Sequence, residues 1–184
     1  MQLDQLAEKL QAYLRIVQPS IDEAEYIKSF CRAASGYITT TYRYNILDKP
    51  VTYLTLFTQA QSIRVFLPEI PIKKDTIVVL KSDGSQELTD FDIIGGAIYF
   101  KEPILLDSSP YTIQYSSGVD TSSLDFIGDV EHCVQLAAWL YRTADKGLEG
   151  IDQISTGVKE NTKMFEGIPQ NITTYFESRQ PIRL

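Results

Sequence analysis

The stretch GDVEHC, residues 128–133, gathers two carboxylates, the single histidine of the chain and one of its two cysteines. Asp129, Glu131, His132 and Cys133 are residue types that ligate metals, and a cysteine beside a histidine is how thiolate nucleophiles are activated. Spacing argues against both chemistries. If the stretch is helical, His132 and Cys133 project about 100° apart and cannot pair as base and nucleophile. Metal pairs on a helix sit at i, i+3 or i, i+4, and around His132 those positions hold Gly128, Asp129, Gln135 and Leu136. One carboxylate and one imidazole fall short of the three protein ligands of a catalytic zinc.

Cys133 instead belongs to a stripe at helical spacing, Phe126, Val130, Cys133, Ala137, Leu140 and Ala144, with Ile127, Val134 and Tyr141 beside it. A free cysteine in such a stripe behaves as a small hydrophobe. Asp125, Asp129 and Glu131 then read as favourable charge near a helix N-terminus, with Arg142 and Lys146 at the other end. The segment is expected to start a structural helix.

Other constellations are weaker still. Gly95-Gly96 is not followed by a helix and so is no phosphate loop. No G-x-S-x-G elbow occurs, and Ser116-Ser117-Gly118 ends a strand with no evident base. Asp90 and Asp92 alternate along a strand as a solvated face. Tyr37, Tyr42 and Tyr44 are of the type that stacks nucleic-acid bases, but without basic residues around them they read as packing. No catalytic residue, metal ligand or cofactor site is expected, and the chain is not read as an enzyme.

These residues sit in a clear order of elements. Leu3, Leu6, Leu10, Tyr13 and Leu14 predict an amphipathic helix over 3–15. After Pro19, Ser20-Ile21-Asp22-Glu23 has the form of a capping box, and Ala24, Ile27, Phe30, Cys31, Ala34 and Ile38 continue one face of a helix over 21–41. From Val51 the period changes to two: VTYLTLF, SIRVFL, TIVVL, FDII, AIYF and YTIQY are short, β-branched and aromatic. Asp83-Gly84 and Gly95-Gly96 fit tight hairpin turns. With no crossover helices between them, these strands predict an antiparallel β-meander over 51–118. A third long helix is expected over 124–146, closed by Gly147. Residues 148–184 read as a C-terminal extension, with a short proline-initiated helix over 169–178. The fold class is therefore α+β: a mainly helical wall with an inserted antiparallel meander and a C-terminal arm, and residues 1–147 as a single domain.

The bulk properties agree. The 184 residues, 43% hydrophobic and 22% charged, suit one globular domain with an arm. A net charge of −7 argues against a surface built to grip phosphates. Two cysteines about a hundred positions apart exclude a disulfide framework and a four-cysteine zinc site, and predict reduced thiols in a reducing compartment. MQLDQLAEKLQAYL is no signal peptide, and no stretch reaches the ~20 apolar residues of a membrane span, so no membrane partner is expected.

The ordered set of motifs resembles the head–tail connector proteins of tailed bacteriophages, the adaptor or head-completion family. LAEKLQAYLRI is similar to the family's opening helix, and IDEAEYIKSFCRAASGYITTTYR to its long second helix. FLPEIPIKKDTIVVLKSDGSQELTDFDIIGGAIYF resembles its strand, Pro-Ile, strand and turn pattern, and YTIQYSSGVD its closing strand. VEHCVQLAAWLYRTAD is similar to the third helix, and GIPQNITTYFESRQP to the proline-initiated C-terminal piece. Residues 45–64 and 148–164 depart from that pattern.

The resemblance implies a structural virion protein at the head–tail interface, assembled in the host cytoplasm. It would form a closed homo-oligomeric ring, usually of about twelve copies, under the portal protein. That ring would extend the DNA channel, pass DNA without sequence-specific binding, and offer a platform to the next neck or tail protein, a stopper or tail terminator. Hairpin tips at Asp83, Gly84, Gly95 and Gly96 would reach neighbours or the tail. The apolar residues of the arm, Met164, Phe165, Ile168, Tyr175, Phe176 and Ile182, with Arg179 and Arg183, would contact the portal or a neighbouring subunit, unless the arm packs on its own subunit. The alternatives are a different virion ring protein, a neck stopper or tail terminator, or a small monomeric binding module.

Overall fold

The computed structural model describes residues 1–55, 61–80, 90–94, 96–105, 111–121, 123–145 and 167–179. Four α-helices and six strands lie in these segments: α1 (Leu3–Leu14), α2 (Ile21–Tyr42), β1 (Lys49–Thr55), β2 (Gln61–Phe66), β3 (Val78–Leu80), β4 (Phe91–Ile94), β5 (Ala97–Leu105), β6 (Tyr111–Ser117), α3 (Ile127–Asp145) and α4 (Gln170–Arg179). The mixed α+β class and the three long helices are as the periodicity predicts. The third helix begins as a single 3-10 turn, Leu124–Phe126, before becoming α-helical.

The helix ends follow local chemistry. The Ser20 hydroxyl accepts the Glu23 amide at 3.2 Å and caps α2. That is one half of the expected box. α1 and α2 both stop at a residue in the left-handed region, Arg15 (φ +59°) and Arg43 (φ +56°), whose amides return to carbonyls of the last turn.

All strand pairs are antiparallel, as expected, but they do not form a sequential meander. The order is β1-β6-β3 in one three-stranded sheet and β2-β5-β4 in the other. Alternating hydrophobicity tells which face a residue takes and not which strand lies beside it, so the long-range β1–β6 pairing was not readable. The one tight hairpin described is β4–β5. Ile94 pairs with Ala97, and Gly96 takes φ +82° at the turn. The other predicted tip residues, Asp83, Gly84 and Gly95, lie outside the described residues.

Two hydrophobic cores result. Ile98 and Val65 of one sheet meet Val79 and Ile113 of the other in the β core. In the helical core, Leu6 and Leu10 of α1, Phe30 and Ile38 of α2 and Leu136 and Leu140 of α3 are fully buried. Ile172 and Phe176 of α4 belong to this same core.

A polar junction joins the two. Asn45, almost fully buried, takes a hydrogen bond on Oδ1 from Thr39 at 2.9 Å. It donates through Nδ2 to Glu69 (2.6 Å) and Ser117 (3.0 Å). Its amide donates to the Ile70 carbonyl at 2.7 Å. Tyr115 both accepts the Glu69 amide and donates to the Glu69 carbonyl, at 3.1 Å each. Gly118, at φ +141°, lets the chain pass Leu47 and Asp48 so closely that a Cβ would lie 2.6 Å from an Asp48 carboxylate oxygen. The Y-x-x-G end of β6 is thus a packing device at the point where sheet meets helix.

Candidate functional site

The residues of GDVEHC part company once α3 is formed. Cys133 is fully buried in the helical core, as is Cys31, and burial pushes the Cys133 thiol upward and that of Cys31 to about 12. Neither thiol is an accessible nucleophile. His132 holds its Nδ1 2.7 Å from the Gly128 carbonyl. A carbonyl cannot donate, so Nδ1 carries the proton and is occupied. Among the described residues no group of three or more His, Cys, Asp or Glu side chains is placed to hold a metal.

Asp129 is the residue whose role the sequence concealed. It lies in the first turn of α3, as expected, but it is fully buried and does more than balance the helix N-terminus. Its carboxylate accepts the Tyr44 hydroxyl on Oδ2 at 2.7 Å and the Tyr175 hydroxyl on Oδ1 at 2.8 Å. Arg179 Nε lies 3.0 Å from Oδ1. The guanidinium also donates to Tyr175 Oη at 3.0 Å and to the Asp125 carbonyl at 3.3 Å. A buried carboxylate is tolerated when it is paired and its lone pairs are filled, and here both conditions hold. Burial, reinforced by the hydrogen bond to Asp129, raises the Tyr44 hydroxyl well above its usual range, which keeps it a donor.

α4 supplies most of these partners. It runs antiparallel to α3: Asn171 lies beside Gln135 (3.4 Å), Tyr175 beside Asp129, and Arg179 beside Asp125. The Tyr175 ring stacks on His132 with centroids 3.8 Å apart and planes 7° from parallel. Phe176, next along the helix, is fully buried against Tyr42, Tyr44 and His132. Tyr42, the last residue of α2, and Tyr44, just beyond it, are therefore packing residues, as expected. Gly128 completes the socket, since a Cβ there would lie 2.6 Å from Tyr175 Oη. GDVEHC is a receptor for a helix: glycine for close approach, aspartate for the anchor, histidine for the stack.

This changes the expected role of the arm. Ile168 packs partly buried against the helical core, Tyr175 is partly buried, and Phe176 is spent entirely within the subunit. They do not form an open apolar face. Arg179 is 39% exposed, yet its charge is directed to Asp129. Met164, Phe165, Ile182 and Arg183 lie outside the described residues, as does the expected boundary between Gly147 and Leu148. A signal for Asp129 did exist in the sequence. Asp129, Cys133, Leu136 and Leu140 share one helical stripe, so the aspartate stands where an apolar residue belongs.

A groove of about 390 Å³ opens elsewhere, between α1 and the start of α3, lined by Tyr13, Phe126, Ile127, Val130 and Val134 with Lys9 and Glu131. Of the four residues suspected of chemistry only Glu131 lines it; Asp129, His132 and Cys133 do not.

No protein-family model matches the chain, and no curated protein matches it. Solved structures do. A chain in the neck of an empty GTA particle computed with C6 symmetry superposes with a TM-score of 0.61 at 14% identity, over 97% of this chain and 90% of that one. A chain in the virion of a native gene transfer agent (GTA) particle gives 0.60 at 13% identity, with the same coverage. A chain in the neck of a native GTA particle computed with C12 symmetry gives 0.54 at 13% identity, over 86% and 84%. At such identities the likeness establishes a shared fold, and it runs through nearly the whole length of both chains.

Proposed function

We propose that the chain is a structural virion protein of the neck, a head–tail connector adaptor that forms a ring beneath the portal. The observation that carries this reading is the fold shared, over 97% of the chain, with a protein of a particle neck. The order of motifs resembling the adaptor family is consistent with it. In this reading the ring extends the DNA channel and presents its far face to a stopper or tail terminator. A closed ring uses heterologous contacts, two different patches on each subunit. The net charge of −7, repeated around the ring, favours DNA that slides past without adhering.

The docked α4 refines the portal contact. Tyr175, Phe176 and Arg179 set the position of the C-terminal helix, and contact with the portal falls to residues beyond it, including Ile182 and Arg183. Negative-stain microscopy of the purified protein, alone and mixed with its portal, tests the proposal. Rings, or portals capped by an added layer, are expected. A particle that stays monomeric and leaves portals bare overturns it.

A further inference from the structure

The described surface carries two apolar patches of opposite form. One is flat, on the outer face of the sheet β2-β5-β4. Cross-strand partners point to the same face, so the pairings Phe66–Ala97–Ile94 and Arg64–Tyr99–Asp92 make two rows across it. Ile94 is 61% exposed and Phe66 39%, with Ala97 buried between them. The Arg64 guanidinium lies 3.9 Å from the centre of the Phe66 ring and 5.1 Å from that of Tyr99, which holds its charge in place. Arg64 and Asp92 are two strands apart, or about 10 Å, and the two rows are separated by about 7 Å.

The other patch is concave, the groove between α1 and the start of α3. Tyr13 on α1 and Ile127 on α3, both 47% exposed, stand on its two walls, and the buried Val130 and Val134 also line it. Lys9 is one helical turn from Tyr13, and Glu131 one turn from Ile127, about 6 Å in each case. Packed helices lie about 8–10 Å apart, so the walls of the groove are about as far apart as Arg64 and Asp92. Each patch is thus an apolar centre bordered by one cation and one anion. They belong to different cores, and no described residue of the sheet lines the groove.

We infer that the groove of one subunit receives the Phe66–Ile94 face of a second copy, and that this unlike pair is the junction repeated around the ring. The inference rests on the ring reading above and names its two surfaces. Asp92 then faces Lys9 of the next copy, and Arg64 faces its Glu131. The reversed seating would set like charges together, so the charges fix the direction of docking. A junction of two unlike patches leaves one of each unfilled at the ends of a row until the ring closes.

The test uses two full-length copies of distinguishable mass, one carrying Ile94→Cys and the other Ile127→Cys, co-expressed and purified as the assembly, alone or on the portal. Both positions are exposed and the native thiols are buried, so a short bismaleimide reacts at the introduced sites. The expected result is a product at the summed mass joining the two kinds of chain. Neither variant alone should give a dimer, because in a head-to-tail ring Ile94 never meets Ile94. At low salt, Lys9→Glu should reduce the fraction of protein in rings, and Asp92→Lys in the same chain should restore it. Assemblies that give no hetero-product, or in which Asp92→Lys deepens the loss, overturn the pairing and leave the ring reading intact. A wild type that never assembles, with or without portal, overturns the ring reading and this inference with it.

Discussion

Gly128 is where the architecture of the C-terminal helix is decided at the level of one hydrogen atom. Alanine is the better helix former by about 1 kcal/mol in a helix interior, so propensity alone favours Gly128→Ala. The structure predicts the opposite sign, because the new methyl would sit 2.6 Å from Tyr175 Oη and 3.3 Å from Cζ. Overpacking of this kind costs about 1–3 kcal/mol. Gly128→Ala should lower the urea midpoint, and Tyr175→Phe, which removes the offending oxygen, should restore part of the loss in the double variant. If the two substitutions simply add, the contact is not what holds the glycine in place. Composition hid this: the sequence displays Gly128, Asp129 and His132 together, but what each touches lies more than forty positions away, in Tyr175 and Arg179. Only the presence of Asp129 in an otherwise apolar stripe betrayed it.

At the scale of elements, periodicity carried the reading well. Helices expected over 3–15, 21–41 and 169–178 are found at 3–14, 21–42 and 170–179, because capping and amphipathic spacing are local properties. Each of the six strands also falls where alternation placed it. Strand neighbours were not legible, since β1 with β6 is a pairing of distant segments. Nor was the junction that fixes how sheets meet helices, in which Asn45 and Glu69 act at positions without a motif.

That junction carries a pH dependence. Burial raises the Glu69 carboxyl, but the hydrogen bonds from Lys49 and Asn45 outweigh it, and the group ends below its ordinary 4.5. A carboxyl with a depressed folded value contributes stability that is complete above the unfolded value, here about 4.5, and is lost as pH falls through the folded one. Urea midpoints of the wild type should therefore drop more steeply below that pH than those of Glu69→Gln, with the two curves converging in acid. Parallel curves down to acid unfolding would show that Glu69 adds nothing to the acid limb.

The whole molecule is a helical core and a β core joined through that polar seam, with the C-terminal helix closing the first. Its surface charge is a property of this scale, legible from composition without any fold. Multiplied around a ring, a negative subunit should not retain duplex DNA even at low salt, where phosphate contacts are strongest. The assembled protein is expected to leave the mobility of duplex DNA unchanged at about 50 mM salt, where electrostatic adhesion would be evident. Retardation at that salt would point to a basic lumen.

The antiparallel docking of α4 on α3 has a mechanical side. Its polar contacts are graded along the helix, from the weak Asn171–Gln135 amide pair at one end to the Arg179–Asp129 ion pair at the other, while Ile172 and Phe176 are buried between them. A load arriving through the final residues of the chain meets the ion pair first, whereas one arriving through residues 146–169 meets the amide pair first. The polar side of the joint thus has a grain: a partner that held the last residues of the chain would load the ion pair first, and one that pulled on the connector would load the amide pair first.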